Sequence, residues 1–171
     1  MTDADDICWF VARTRRGQEL AIRERLEAFG IQNFIPVSQT LRIRNGRKVK
    51  AVVPLIPNMV FLRTTKSNAC ALANGHGLQV FYMVDHITNR MLVVPDRQMD
   101  CFIRVITGSP DVEVTAFTPT QGQRVRIVSG KLAGVEGEVL SADQSDCIVV
   151  SVGTLLSARV KVRKGGLEPI L

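Results

Sequence analysis

The sequence predicts an α+β protein: an N-terminal α/β sandwich, in which helices pack on a sheet, followed by a small five-stranded β-barrel. Three observations carry this expectation. Residues up to about 107 read in the order β-α-β-β-β-α-β-β-α, and each helical stretch has one apolar stripe for a sheet to cover. Thr107 to Thr120 then breaks the pattern with Gly108, Pro110 and Pro119. Beyond the break, short alternating strands surround a glycine-containing loop, and closing so small a sheet into a barrel removes exposed edges. The expected divisions are therefore 1–107, a linker at 108–120, and 121–171.

The first strand is Cys8-Trp9-Phe10-Val11-Ala12, whose aromatic and β-branched residues suit a central position. Thr14 to Gly17 is a polar break. The spacing of Ile22, Leu26 and Phe29 predicts a helix from Gln18 to Phe29, with Ala21 widening the apolar stripe. Glu19 stands in its first turn, where a carboxylate is favourable, and Gly30 can end it. Ile31 to Val37 is extended, with Pro36 disfavouring helix at the residue before it. Leu41-Arg42-Ile43-Arg44, Asn45-Gly46 and Arg47-Lys48-Val49-Lys50-Ala51 then spell a hairpin with a type I′ turn. Arg42, Arg44, Lys48 and Lys50 are expected to cluster on its polar side and near its tip. Such a hairpin suits a nucleic-acid finger or a solvated basic loop.

Pro54 and Pro57 bracket Leu55 and Ile56, which reads as an irregular crossing before the strand Met59 to Leu62. That apolar pair suits either a docking patch or a plug in the core. Ser67 is expected to cap a short helix ending at Asn74, with Ala69, Leu72 and Ala73 inward. Leu78 to Val84 and Met91 to Val94 read as strands about the turn Thr88-Asn89-Arg90. Pro95 can open a third helix, in which Met99, Phe102, Ile103 and Ile106 recur at helical spacing.

In the second half, Val125 and Ile127 alternate with Arg124 and Arg126 as in a strand with one buried face. Ser129 to Gly134 suits a tight loop. Val135 to Val139 resumes as a strand interrupted by Gly137, which allows a bulge, a sharp bend or the close approach of another backbone. Cys147 to Val152 and Ala158 to Arg163 complete four main strands, with Leu167 to Ile170 as a short fifth.

Composition narrows the function classes. Apolar residues make up 46% of the 171, enough for a real core. A run of about 18 apolar residues, as a spanning helix needs, does not occur. Met1 to Asp6 is acidic and is not followed by a long apolar segment, so no secretory signal is expected and the protein is expected in the cytoplasm. Cys8, Cys70, Cys101 and Cys147 do not combine with His76 and His86 in any zinc-finger spacing, so no metal is expected. Net charge is +6, yet Val11 to Lys66 holds twelve Lys or Arg against three Glu. That concentration favours a polyanion or an acidic protein surface, or is a solvated basic face. Neither a GxGxxG nor a P-loop is present, and Asp85 beside His86 lacks a nucleophile, so neither an enzyme nor a cofactor is expected.

Taken together, these residues resemble the NusG-like family of transcription elongation and antitermination factors, which carry an NGN domain and a KOW domain. Gly122 to Val139 is similar to the KOW motif. Trp9-Phe10-Val11 matches the family's opening aromatic strand. Pro57-Asn58-Met59-Val60-Phe61 stands where the family has proline-glycine-tyrosine-valine and a further apolar residue. Val152-Gly153 matches its aromatic-glycine turn. The resemblance covers about residues 8 to 170 and implies an antiparallel NGN sheet and an SH3-like KOW barrel. Asn58 departs from the usual glycine, but asparagine tolerates left-handed geometry.

The resemblance further implies a factor that binds the RNA polymerase clamp near upstream DNA and suppresses pausing or termination. By motif match the polymerase patch is Phe10, Ile56 and Met59. The basic surface toward non-template or upstream DNA, or toward polymerase, is Arg15, Arg16, Arg23, Arg42, Arg44, Arg47, Lys48 and Lys50. The KOW surface is Leu132, Val135 and Leu155, facing a small-subunit ribosomal protein, the termination factor Rho or nascent RNA. Departures from the general factor suggest a specialised paralogue acting on particular operons, such as surface polysaccharide clusters. Such a factor is expected to be monomeric when free and to engage no membrane. The alternative is a KOW-containing ribosomal or RNA-processing binding protein.

Overall fold

The computed structural model describes residues 6–109, 112–116, 122–142, 145–152, 155–162 and 166–170. Gly153, half of the expected aromatic-glycine turn, lies outside them. The chain divides into two units, Met1–Val93 and Val94–Leu171.

The first unit is built around β1 (Cys8–Thr14), in which Trp9 to Ala12 are all buried. Residues apolar on both faces of a strand belong in mid-sheet. Accordingly β1 pairs antiparallel with β5 (Met59–Thr64) on one side and β6 (Val80–Tyr82) on the other. Beyond β5 lies β2 (Gln32–Phe34), giving the order β2-β5-β1-β6, and β9 (Val93–Val94) also pairs with β1. The register sets Phe10 opposite Leu62 and Ala12 opposite Val60. On that face α1 (Glu19–Ala28) and α2 (Lys66–Asn74) contribute Ile22, Leu26, Ala69 and Leu72 to a single core.

Two helix details differ from the sequence reading. Ala21 is exposed on α1, and Phe29 is exposed because α1 ends before it; its ring lies 5.2 Å from that of His76. Thr65, not Ser67, caps α2: its hydroxyl accepts from the Asn68 backbone N–H at 3.2 Å. Two positions separate the two, and only the backbone path selects between them.

β3 (Val37–Arg44) and β4 (Arg47–Pro54) form a two-stranded ribbon of their own. Asn45 and Gly46 have φ of 50° and 74°, the positive values a type I′ turn requires. A second, smaller ribbon joins β7 (Val84–Asp85) to β8 (Arg90–Met91).

The second unit holds α3 (Asp96–Gly108), β10 (Glu113–Ala116), β11 (Arg124–Ile127), β12 (Glu136–Ala142), β13 (Ser145–Val152), β14 (Leu156–Val162) and β15 (Leu167–Pro169). The strands make one sheet in the order β10-β14-β13-β12-β11-β15. This overturns the expected closed five-stranded barrel, while the α+β class stands. The physical reason is an additional strand. Glu113 to Ala116, read as linker, pairs along β14 from Glu113↔Arg159 to Ala116↔Leu156. β14 thus has β13 on one side and β10 on the other, and neither side is left for β15 to close upon. Among the described residues the ladder has two ends, β10 and β15.

The helix α3 lies against β13 and β14. Ile148, Val149 and Val150 are buried in succession, so both faces of β13 are covered. Met99, Cys101, Phe102, Val105 and Ile106 are the buried residues of α3. At its end, a Cβ on Gly108 would meet Leu132 Cδ2 at 2.9 Å, so the helix terminus sits tightly on the 129–134 loop.

Gly137 resolves among the three options its position allowed. A Cβ there would meet the Val149 carbonyl oxygen and Ile148 Cγ2, each at 2.5 Å. The glycine therefore serves the close approach of β12 to β13. Gly137→Ala should lower the stability of the folded chain by about 1–3 kcal/mol through overpacking. Chemical denaturation checks this, and an unchanged midpoint with an unchanged slope would contradict it.

Candidate nucleic-acid interface

The β3–β4 ribbon is the most strongly charged element of the first unit. Residues 37–54 carry Arg42, Arg44, Arg47, Lys48 and Lys50 and neither Asp nor Glu. Every residue from Leu41 to Lys50 is exposed. At the base of the ribbon the Leu55 N–H donates to the Pro36 carbonyl at 2.8 Å. Beyond that tie the strands pair only with each other.

The register sorts the charges. A two-residue turn sets Arg44 opposite Arg47, so Ile43 faces Lys48, Arg42 faces Val49 and Leu41 faces Lys50. Directly opposed residues share a face. Arg42, Arg44 and Arg47 therefore lie on one face with Val49. Lys48 and Lys50 lie on the other with Leu41, Ile43 and Val52. The expected single cluster of Arg42, Arg44, Lys48 and Lys50 is thus split in two. The apolar residues were visible in the sequence, but their exposure was not: Leu41 is 64% and Ile43 76% exposed.

The remaining basic residues sit elsewhere. Arg15 and Arg16 are exposed in the turn before α1. Arg23 is half-buried on α1, 3.9 Å from the Glu27 carboxylate, a surface pair of little energetic weight.

The Pro57-Asn58 turn leading into β5 is held from two sides. Asn58 has φ of 60°, so it adopts the left-handed geometry that asparagine tolerates. Its N–H donates to Glu19 Oε1 at 2.7 Å, and its carbonyl accepts from the Thr14 N–H at 3.0 Å. Glu19 is buried, so the residue read as a favourable charge at a helix start is also the clamp of this turn. Sequence spacing could not find that pairing across 39 positions.

The patch residues are placed as follows. Phe10 is buried in the core under α1 and α2, edge-on to Tyr82 with ring centroids 6.1 Å apart. Met59 is buried too, but opposite Arg13, which puts it on the other face of the sheet from Phe10. Ile56 is buried in the crossing before the turn. The fold therefore brings Ile56 and Met59 to the two flanks of Asn58, while Phe10 lies across the sheet.

In the second unit, Val135 is fully buried, and Leu132 and Leu155 are half-buried. The 129–134 loop is also tied by Arg104, whose guanidinium donates to the Ala133 carbonyl. Close by in sequence, Glu136 gathers arginines. Its Oε1 accepts from Arg126 Nε at 2.9 Å and Nη2 at 2.7 Å and from Arg97 Nη2, with Arg124 Nη2 3.9 Å from Oε2. Its side chain is 8% exposed. The hydrogen bond from Arg126 holds the carboxyl below its ordinary pKa, with the Arg97 and Arg126 charges adding to it against the opposing effect of burial. Glu136, Arg97 and Arg124 line a cleft of about 450 Å³ with Gln98, Glu138 and Ser151.

Among the described residues, no group of three or more His, Cys, Asp or Glu could hold a metal ion. Among the same residues, no helix is long and apolar enough to cross a membrane.

Residues 7–103 match the family model described as NusG, transcription termination factor nusG. No curated protein matches the chain. A solved structure titled "Crystal Structure of MjSpt4:Spt5 complex conformation B" is 14% identical, with 95% of this chain and 96% of that chain covered and a TM-score of 0.28.

Two outcomes follow from these contacts. Glu19→Ala leaves the half-buried Asn58 N–H without its acceptor and should cost about 1–3 kcal/mol, whereas Asn58→Gly, which removes the left-handed strain, should cost less than about 0.5 kcal/mol. Equilibrium denaturation of both variants decides the matter. For Glu136 the lowered pKa means that its stabilisation is present above the ordinary carboxylate pKa and is lost as pH falls through the lowered value. Glu136→Gln should therefore flatten the acid limb of a stability–pH curve. An acid limb identical to that of the wild type would refute this.

Proposed function

This chain belongs to the NusG family, and from that premise we propose that it is a transcription elongation or antitermination factor that binds the RNA polymerase clamp beside upstream DNA. The observation that carries the reading is the family match over residues 7–103, which spans β1, the basic ribbon, the Asn58 turn and most of α3. NusG-family proteins are non-catalytic regulators. In this reading, binding to the clamp opposes its opening and so suppresses pausing or termination.

The region about Ile56 and Met59 is proposed to meet polymerase, with Phe10 supporting it from the core. The rigid turn at Asn58 favours this, since a pre-organised loop loses little entropy on docking. Arg15, Arg16, Arg23 and the ribbon cations are proposed to face non-template or upstream DNA, where phosphate contacts give affinity without sequence information. Residues 1–107 would bind polymerase and residues 121–171, with β10 beside them in the same sheet, a second partner. That partner is a small-subunit ribosomal protein, Rho or nascent RNA, met at Leu132 and Leu155 with Val135 beneath. Asn58 and Met59, which replace the family's usual glycine and tyrosine, favour a specialised paralogue acting on particular operons, such as surface polysaccharide clusters.

The purified chain should associate with elongating RNA polymerase and raise readthrough on a template carrying its own operon leader. Pro57→Asp, at the exposed position between the buried Ile56 and Met59, should weaken association while circular dichroism still reports a folded chain. If the folded wild-type protein neither binds polymerase nor changes readthrough, the reading is wrong.

A further inference from the structure

We propose that the cleft between the start of α3 and strands β11 to β13 binds a nucleoside monophosphate, with the phosphate held by Arg97 and Arg124. This goes beyond the polymerase reading: neither Leu132 nor Leu155, assigned there to a macromolecular partner, lines the cleft.

Glu136 has more arginines around it than its charge requires. Arg126 donates to Oε1 through Nε and Nη2 at 2.9 and 2.7 Å, and this pair alone balances the carboxylate. Arg97 adds a single nitrogen to the same oxygen, and Arg124 stands 3.9 Å from Oε2, beyond hydrogen-bond distance. A guanidinium carries five N–H donors, so both keep most of theirs for another acceptor. Their side chains are 70% and 67% exposed, and both line the cleft. Two such forks beside one concavity suit an oxyanion that accepts from each. A phosphate monoester has that form, with three acceptor oxygens and close to two negative charges near neutral pH.

The rest of the lining calls for more than an inorganic anion. A cleft of about 450 Å³ is of the size that takes an organic ligand. The register sets Arg124 opposite Glu138 and Glu138 opposite Val149, so cation, carboxylate and apolar side chain follow one another across one face of the sheet. Two strand spacings make that row about 10 Å long, the scale of a nucleotide. Glu138 repels a bare anion, so it favours a ligand that brings hydroxyl donors along with its phosphate. Ribose supplies them, and carboxylates accept from ribose hydroxyls at nucleotide sites. Val149, Cys101 and Pro95 then give the base an apolar wall. Ser151 lines the same end, and Ser157 stands opposite it on the same side of the sheet. Ser157 is 4% exposed, and its Oγ has no hydrogen-bond partner among the described residues, which leaves a polar group beside the base.

Isothermal titration calorimetry of the full-length protein tests this with AMP, GMP, CMP and UMP, against inorganic phosphate and the four nucleosides. At least one monophosphate should bind about tenfold or more tightly than phosphate and than its own nucleoside, since each reference lacks one end of the ligand. Arg124→Gln should weaken that nucleotide about tenfold, the loss of a charge-assisted hydrogen bond, with an unchanged denaturation midpoint. Arg97→Gln, on a different element, should act in the same direction. Glu138→Gln should weaken the nucleotide and not inorganic phosphate. The inference is overturned if no monophosphate binds, or if none binds better than phosphate and its nucleoside. Binding that survives both arginine changes overturns it as well. So does binding that is lost when Arg42, Arg44 and Arg47 are changed to alanine, which would place the nucleotide on the basic ribbon. None of these measurements involves polymerase, so failure here is distinct from failure of the proposed function.

Discussion

The antiparallel pairing of β1 with β5 is the constraint on which the first unit depends. Setting Phe10 opposite Leu62 and Met59 opposite Arg13 decides which side chains meet α1 and α2 and which lie on the other face. A slip of one residue would exchange the two sets. The end of this pairing is secured outside the ladder, where the Thr14 N–H reaches the Asn58 carbonyl and Glu19 takes the Asn58 N–H. A helix start, a strand end and a left-handed turn are thereby joined through one residue. The turn that the family reading assigns to polymerase is consequently among the best-fixed loops of the unit.

The second unit is governed by a different constraint, close approach at Gly137 and the covering of β13 on both faces. α3 lies on β13 and β14, and Arg97, Arg124 and Arg126 converge on the Glu136 carboxylate at the start of β12. Gathering guanidinium groups about one mostly buried carboxylate is favourable only because Oε1 accepts several charge-assisted hydrogen bonds. Leu132 packs at the end of α3, so part of the surface assigned to an external partner already serves the unit itself.

The β3–β4 ribbon contrasts with both. Among the described residues it shares no ladder with the main sheet. Its two faces are chemically distinct because a two-residue turn imposes one register, and that register separates arginines from lysines and aliphatics. A register shifted by one residue would have mixed them. The element with least structural work to do thus carries the densest charge.

The sequence by itself determined the α+β class, the helices and most strands, the type I′ hairpin, the left-handed tolerance at Asn58 and the family. These follow from local rules: periodicity, turn chemistry and short motifs act between residues close in the chain. Tertiary structure decided the rest. It recruited Glu113 to Ala116 to the edge of β14, which leaves the second sheet open, because strand pairing is a choice among distant edges that local alternation does not encode. It placed Phe10 and Met59 on opposite faces of one sheet, which a motif match cannot see. It gave Glu19 a partner 39 residues away and left Leu41 and Ile43 in water. In each case the deciding quantity is what lies opposite a side chain in space, and that depends on long-range register and packing.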